Sequence, residues 1–173
     1  MKIGIDLDNV IRDFTGKVKQ VYFREHPSHK LIREDIYNLV PWFPIGKDIN
    51  DFVFNKHARE IYLNAPPYKG AINFLHYLRK SNHLTIVTSQ PSDLTTELTE
   101  MWISKNALPY DKLLFTHDKS EYVGDYLLDD SVGNLERIAE VRNSIPVCFD
   151  HPWNQGWKGL RVYSYGEFLE LIK

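Results

Sequence analysis

An apolar run that ends in two closely spaced carboxylates opens the chain: Lys2-Ile3-Gly4-Ile5-Asp6-Leu7-Asp8-Asn9-Val10-Ile11. Residues i and i+2 of an extended chain point to the same side, so Asp6 and Asp8 are predicted to face one point just past the end of a buried strand. Two neighbouring anions are unfavourable unless a bound cation or a shared proton compensates them. The stretch therefore predicts a buried strand, at about residues 3–7, with a charged site at its end.

From residue 69 onwards, apolar patterns typical of strands and of helices alternate along the chain. Strands are predicted at 83–88, 112–116, 126–128, 145–149 and 160–163, and helices at 70–80, 92–105, 131–141 and 165–172. A further helix is predicted at 13–25, with Asp13 as its N-cap. This alternation predicts an α/β fold with a Rossmann-like, doubly wound parallel sheet that helices cover on both faces.

The segment between the first predicted helix and residue 69 breaks this alternation. It contains five prolines between short helical stretches, and an aromatic group made of Trp42, Phe43, Phe52 and Phe54. We interpret residues 15–68 as a small helical cap inserted after the first strand, so that residues 1–14 and 69–173 form the core. Most of the four rings are expected to fill the cap's own interior, and one or two could stack on a nucleobase.

Length, charge and cysteine content limit the alternatives. A chain of 173 residues is long enough for one α/β domain with a small insertion. The formal net charge of −2 argues against long nucleic acid as a partner. The single cysteine, Cys148, leaves no internal disulfide, fits a reducing cytoplasm and is expected to be a small buried apolar residue. No apolar run reaches the length of a membrane span and the start does not read as a signal peptide, so no membrane association is expected.

Polar side chains follow the carboxyl ends of the predicted strands, which is where ligands bind in open α/β sheets. They are Asp6 and Asp8, Thr88 and Ser89, Lys119, and Asp129 and Asp130. Each signal alone is more typical of a turn, a helix cap or a solvated charge. Together they favour phosphoryl transfer, because a carboxylate can attack phosphorus, a second acid can protonate the leaving oxygen, and Mg²⁺ prefers hard oxygen ligands.

These residues resemble a known superfamily. Asp6-Leu7-Asp8-Asn9-Val10, Thr88, Lys119 and Asp129-Asp130 are similar, in that order, to the four motifs of the haloacid-dehalogenase-like (HAD) phosphohydrolases. Within the superfamily, the stretches 6–14, 87–89, 118–119, 127–130 and 149–154 most resemble the 5′(3′)-deoxyribonucleotidases. The resemblance implies a HAD-like core with a helical cap. It also implies a phosphoric monoester hydrolase that uses Mg²⁺ to hydrolyse (deoxy)ribonucleoside monophosphates through an aspartyl-phosphate.

The resemblance also implies a role for each motif residue. Asp6 would be the nucleophile and a magnesium ligand, and Asp8 the general acid/base, with its backbone carbonyl on the metal. The phosphoryl oxygens would be held by Thr88 and Lys119, with help from Ser89. The last motif would supply a magnesium ligand, Asp129, and a supporting acid, Asp130.

Two residues depart from the pattern of the deoxyribonucleotidases. Asn9 stands where they often have glycine, and Arg12 stands where they often have a small residue. Arg12 could favour an anionic substrate or narrow the pocket. Together with Trp42 and Phe43, it is a candidate for a cap residue that faces the substrate.

Other functions stay open at this point. They are a phosphatase for another small phosphometabolite, a phosphatase for nucleic-acid ends, and a non-catalytic binding module of the same fold. A dehalogenase is less favoured, because Asp8 and the late acidic pair suit metal-dependent phosphoryl transfer. The sequence also leaves open the base, the sugar, the 5′ or 3′ position of the phosphate, and the oligomeric state, a homodimer included.

Overall fold

A parallel sheet of six strands forms the middle of the protein in the computed structural model, which describes residues 1–173. The strands are β1 (Lys2–Ile5), β2 (His83–Thr88), β3 (Lys112–Phe115), β4 (Tyr126–Asp129), β5 (Ile145–Phe149) and β6 (Arg161–Val162). Their order is β3-β2-β1-β4-β5-β6, and every neighbouring pair is parallel. The predicted doubly wound parallel sheet is confirmed.

The first strand lies between β2 and β4, at the point where the strand order reverses. Ile3 and Ile5 have no exposed surface, as expected for a strand with layers on both of its faces. A Cβ added at Gly4 would lie 2.7 Å from Leu127 Cδ1 and 2.8 Å from Tyr122 Cε1, so any larger residue would force these neighbours to move. Since ligands of such sheets bind at the reversal point, β1 carries its acids to the expected place.

The chain also forms seven helices. They are α1 (Phe14–Glu25), α2 (Asp48–Asp51), α3 (Ala58–Asn64), α4 (Ala71–Arg79), α5 (Asp93–Lys105), α6 (Val132–Val141) and α7 (Tyr165–Leu171). The predicted cap of α1 is confirmed, because Asp13 accepts a hydrogen bond from Gly16 N. Ser131 caps α6 in the same way by accepting one from Asn134 N. No helix is both long enough and apolar enough to span a membrane.

The predicted first strand is two residues too long. It ends at Ile5, and the chain then turns so that Leu7 O accepts the N–H groups of Ile11 and Arg12 at 2.9 Å each. Asn9 adopts the left-handed conformation in this turn, with φ of 60°. Glycine and asparagine tolerate that conformation best, which explains why asparagine can replace the glycine of the related motif.

The region interpreted as a cap has its own apolar cluster. Buried residues of this cluster include Val18, Tyr22, Trp42, Phe43 and Ile61. The chain enters the region and leaves it side by side, because Asp13 N donates to Pro66 O at 2.9 Å and Tyr68 N donates to Ile11 O at 2.8 Å. The region between these two crossings packs around this cluster, to which Leu98 and Trp153 of the core also contribute.

One contact of the cap with the core is made by α3 and α5. The indole Nε1 of the fully buried Trp102, on α5, donates to Ala65 O at 2.7 Å. One turn later Lys105 Nζ donates to Leu63 O at 2.9 Å. These bonds satisfy carbonyls at the C-terminal end of α3, which no residue of that helix can reach.

We expect Trp102→Phe to lower the free energy of unfolding by about 1–3 kcal/mol, because it leaves the buried carbonyl of Ala65 without a donor. Urea unfolding followed by circular dichroism measures the change. Met101→Ala, at an exposed position on the same helix, is the control and should change the free energy by less than about 0.5 kcal/mol. Equal effects of the two substitutions would contradict the importance of this bond.

Candidate active site

The site lies at the carboxyl end of the sheet, where β1, β2 and β4 end together. Asp6 follows β1, Thr88 is the last residue of β2 and Asp129 is the last residue of β4. A cleft above them is lined by five of the seven polar residues that follow the predicted strands, namely Asp6, Asp8, Thr88, Ser89 and Lys119. Asp129 and Asp130 lie beneath the cleft and are almost completely buried.

A buried lysine joins the acids at the floor of the cleft. Lys119 Nζ lies 2.7 Å from Asp6 Oδ1 and 2.7 Å from Asp129 Oδ2. It is only 4% exposed. Burial alone would lower the pKa of Lys119, but the charges of Asp129 and Asp6 outweigh it and raise this pKa, so the lysine stays charged.

One lysine does not neutralise the surrounding acids. Burial, together with the nearby charge of Asp129, raises the pKa of Asp6 to about 7 in spite of Lys119. Burial and the charges of Asp6 and Asp129 raise the pKa of Asp130 well above its usual value. Both shifts have the same physical cause, which is that buried carboxylates outnumber their cations at this place.

The two acids after β4 have different partners. Asp129 Oδ1 accepts hydrogen bonds from Ser131 N at 2.8 Å and from Asn134 Nδ2 at 3.2 Å, and its Oδ2 is paired with Lys119. Asp130 Oδ2 accepts only one hydrogen bond, from Trp153 Nε1 at 3.1 Å. Its Oδ1 is buried and has no hydrogen-bond partner, which is unusual for a carboxylate oxygen.

Three acids could hold a cation together. Asp6, Asp129 and Asp130 each offer an oxygen, and these atoms lie within 4.8 Å of one another. Hard carboxylate oxygens are the ligands that Mg²⁺ prefers. A divalent ion at this place would also satisfy the unpartnered oxygen of Asp130, so the donor set fits a metal.

Asp8 points away from this acidic group, towards the base of the cap. Both of its oxygens accept hydrogen bonds from Arg12, at 2.6 and 3.0 Å. Gln90 Nε2 donates to Asp8 Oδ2 at 3.2 Å and to Thr88 Oγ1 at 3.1 Å. The side chain of Asp8 remains 22% exposed, and this surface faces the cleft.

Hydroxyl groups line the other side of the floor. Thr88 is buried, whereas Ser89 is exposed and its Oγ lies 3.1 Å from Nδ1 of His117. His117 also lines the cleft. These groups offer the hydrogen-bond donors that a phosphoryl group needs beside a cation.

The walls of the cleft are mainly aromatic. The cleft has a volume of about 580 Å³. Its rings are those of Phe14, Tyr37, Trp42, Phe54, Tyr62 and Trp153. Side-chain amides of Asn38 and Asn50 also line it, and Lys119 is its only lysine or arginine. Tyr37 lines the cleft although more than half of its surface is exposed.

Two of the candidate cap residues occupy other positions than expected. Phe43 is buried in the cap's apolar cluster, 4.5 Å from the ring of Tyr22, and does not line the cleft. Arg12 is completely buried and does not line the cleft either. Its expected contact with the substrate is therefore corrected to a contact with Asp8. The third candidate, Trp42, does line the cleft.

Some cleft residues had no signal in the sequence. Tyr37 and Asn38 lie in an irregular segment, where no periodic pattern shows which side chains face inwards. Gln90 and Asn134 support site residues through side-chain amides, which are more often found in turns and caps. The only hint was proximity, since Gln90 follows Ser89 directly and Asn134 lies in the helix after Asp130.

The stretch after β5 supports the first loop. His151 Nε2 donates to Asn9 O at 2.6 Å, and its ring stacks on Trp153 with 4.2 Å between ring centroids. Burial lowers the pKa of His151, so the ring is neutral at neutral pH. Residues 149–154 therefore support the site by packing around it. Trp153 donates a hydrogen bond to Asp130, and His151 donates one to Asn9.

Comparison with solved structures defines the class of fold. The haloacid dehalogenase-like family protein SP0104 from Streptococcus pneumoniae superposes with a TM-score of 0.66 at 13% identity, over 99% of this chain and 98% of that one. The HAD-hydrolase YfnB from Bacillus subtilis, whose structure has bound magnesium, gives a TM-score of 0.65 at 9% identity, over 99% and 98%. The chain has a HAD-like fold.

Sequence comparison identifies the family. The family model described as "5′ nucleotidase, deoxy (Pyrimidine), cytosolic type C protein" matches residues 1–173, and the chain belongs to that family. A protein of Chlorobaculum tepidum named "Putative 5′(3′)-deoxyribonucleotidase" is 25% identical over 181 residues, which cover 99% of this chain and 89% of that protein. The chain is therefore a nucleotidase of the HAD type, a phosphoric monoester hydrolase, and the family implies a small phosphorylated nucleotide as substrate.

We expect Lys119→Met to destabilise the metal-free protein by about 3–5 kcal/mol near pH 8, because it leaves buried carboxylates without their cation. The loss should be smaller at about pH 5.5, because the buried acids, whose pKa values are raised, then take up protons and no longer need the charge of Lys119. Urea unfolding in EDTA at both pH values measures this. The exposed lysine at position 112 provides the control, Lys112→Met. A loss that does not depend on pH would contradict the electrostatic explanation.

Proposed function

We propose that this protein is a Mg²⁺-dependent nucleotidase that hydrolyses nucleoside monophosphates, deoxyribonucleotides above all, through an aspartyl-phosphate on Asp6. The observation that carries the proposal is the buried Lys119, which lies 2.7 Å from both Asp6 and Asp129 at the floor of an aromatic cleft. A positive charge at the floor of the cleft, beside Asp6, suits an incoming phosphoryl group. We also propose the cytoplasm as the location of the protein, because its single cysteine is free and buried, which suits a reducing compartment.

Asp6 and Asp129 would hold the metal, together with the backbone carbonyl of Asp8. We add Asp130 to this set, because its Oδ1 is buried without a partner while both oxygens of Asp129 already accept hydrogen bonds. Bound Mg²⁺ would offset the negative charge of the acids and of the phosphoryl oxygens. Asp130 would then be a ligand rather than only a supporting residue.

The chain's own residues account for both chemical steps. An oxygen of Asp6 attacks phosphorus, the bond to the nucleoside oxygen breaks, and that oxygen takes a proton from Asp8. Asp8 then removes a proton from water, the water oxygen attacks phosphorus, and the bond to Asp6 breaks to release phosphate. Throughout, Lys119, Thr88 and Ser89 hold the phosphoryl oxygens in place.

The cleft favours a nucleoside as the leaving group. Its volume of about 580 Å³ lies within the usual range for small-molecule sites. Phe54 and Trp42 offer faces on which a base can stack, and Asn38 and Asn50 offer amides for its polar edge. Because Lys119 is the only lysine or arginine in the lining, a second phosphate would find no cation, so monophosphates are favoured over diphosphates.

We expect Asp6→Asn to reduce hydrolysis of nucleoside monophosphates and of p-nitrophenyl phosphate by more than about 1,000-fold, because the amide cannot act as the nucleophile. Steady-state assays with Mg²⁺ and with excess EDTA measure activity, and EDTA should abolish turnover by the wild type. Asp48→Asn, at an exposed position on the cap, should retain full activity. Turnover by a folded Asp6→Asn protein would reject the proposed mechanism.

We expect Phe54→Leu to lower kcat/KM for deoxyribonucleoside monophosphates by about tenfold, because base stacking on an aromatic ring is lost. The value for glycerol phosphate, which has no ring, should hardly change. Phe23→Leu provides a matched control, since Phe23 packs in the cap without lining the cleft.

A substrate panel of nucleoside 5′- and 3′-monophosphates, sugar phosphates and short oligonucleotides with terminal phosphates then identifies the class of substrate. The proposal expects the highest kcat/KM for the deoxyribonucleoside monophosphates. Preference for a sugar phosphate or an oligonucleotide would overturn the substrate assignment while leaving the phosphatase chemistry intact.

A further inference from the structure

A guanidinium group without any exposed surface lies beside the cleft. Arg12 is 0% exposed, and it is the residue at which the chain passes from the core into the cap. Burying a charge is costly unless it is paired and hydrogen-bonded in good geometry. The partners of Arg12 should therefore show what the residue does.

The main partner is the carboxylate of Asp8. Nε of Arg12 donates to Asp8 Oδ1 at 2.6 Å, and Nη2 donates to Asp8 Oδ2 at 3.0 Å. Such a planar, two-bond pair fixes the orientation of a carboxylate as well as its position. A lysine would provide the charge without this constraint.

Residues of the core and of the cap both contact the guanidinium. Nη2 donates to Thr99 Oγ1 on α5 at 3.2 Å. Its Cζ lies 4.9 Å from the ring centroid of Tyr62 on α3 and 5.2 Å from that of Trp102 on α5. Cation–π contacts of this kind favour a buried guanidinium. Residues of both the core and the cap therefore fix the guanidinium of Arg12, which in turn orients Asp8.

The contacts leave one lone pair of Asp8 available for chemistry. Asp8 Oδ2 accepts hydrogen bonds from both Arg12 and Gln90, whereas Oδ1 accepts one, from Arg12. Because a carboxylate oxygen has two lone pairs, Oδ2 is fully used and Oδ1 retains one. The 22% exposed side chain of Asp8 faces the cleft.

We propose that Arg12 is a positioning residue of this enzyme, which orients Asp8 so that Oδ1 exchanges the proton with the leaving oxygen of the substrate. The inference rests on the proposed function, in which Asp8 is the general acid. Arg12 does not line the cleft, so it acts through Asp8 and not on the substrate. Its arrangement also links the position of the cap helix α3 to the catalytic acid.

The test uses two leaving groups of different basicity. The alkoxide of a nucleoside must be protonated as it leaves, whereas p-nitrophenolate leaves without a proton. The ratio kcat/KM includes only the steps up to departure of the leaving group if the phosphoryl transfer to Asp6 is irreversible. Poor orientation of Asp8 should therefore reduce kcat/KM for a nucleoside monophosphate and leave that for p-nitrophenyl phosphate nearly unchanged.

We expect Arg12→Met to lower kcat/KM for the nucleotide on the order of 100-fold, the effect of a small misplacement of a catalytic group. Arg12→Lys should show the same selective loss, because it keeps the charge but not the two-bond pair. In an Asp8→Asn background, Arg12→Met should cause no further loss for the nucleotide. Arg79→Met, which removes an arginine–aspartate pair at the opposite end of the sheet, should affect neither substrate.

Equal losses for both esters, or the same loss in the Asp8→Asn background, would overturn the inference and indicate a purely structural role. Thermal unfolding of four proteins provides a readout without substrate. They are the wild type, Arg12→Met, Asp8→Asn and the variant that carries both substitutions. The proposal predicts that the two substitutions have non-additive effects on stability. If the wild type hydrolyses neither ester, the proposed function fails. Additive effects on unfolding would separately show that Arg12 does not hold Asp8.

Discussion

The ion pairs of Lys119 are the interaction on which the rest of the site depends. Three buried carboxylates meet where the central strands end, and one lysine lies 2.7 Å from two of them. The fold imposes this meeting, because parallel strands carry the residues that follow them to the same edge of the sheet. Without Lys119, the acids could remain close only by taking up protons or a metal ion.

The excess of carboxylates over cations at this place bears on function. Burial and mutual repulsion raise the pKa values of Asp6 and Asp130, and the buried oxygen of Asp130 without a hydrogen-bond partner lies in the acidic group that could hold a cation. Apolar residues in place of these buried acids would often stabilise a protein as well or better. The site instead keeps its acids close together, which suits the transfer of an anionic group more than it suits folding.

Much of the fold follows from patterns that the sequence shows directly. Strands and helices from residue 69 onwards were predicted to within two residues, because their apolar spacing is regular and caps such as Ser131 mark their ends. The site acids could be named because they follow predicted strands. Local patterns did not show that Arg12 is buried against Asp8, because its burial depends on how α3 packs on α5. They also did not show that Phe43 faces the cap interior, because this depends on its packing against α1. Tyr37 was missed because its segment has no regular element at all.

The covalent step on Asp6 is the centre of the account, and it can be observed directly. Wild-type enzyme is mixed with a deoxyribonucleoside monophosphate and Mg²⁺, quenched in acid during turnover, digested at low pH and examined by mass spectrometry. We expect one added phosphoryl group on the peptide that contains Asp6, absent from the Asp6→Asn protein and removed by hydroxylamine. A phosphoryl group on another residue would contradict it. So would turnover that releases phosphate while rapid-quench samples never contain a phosphorylated peptide.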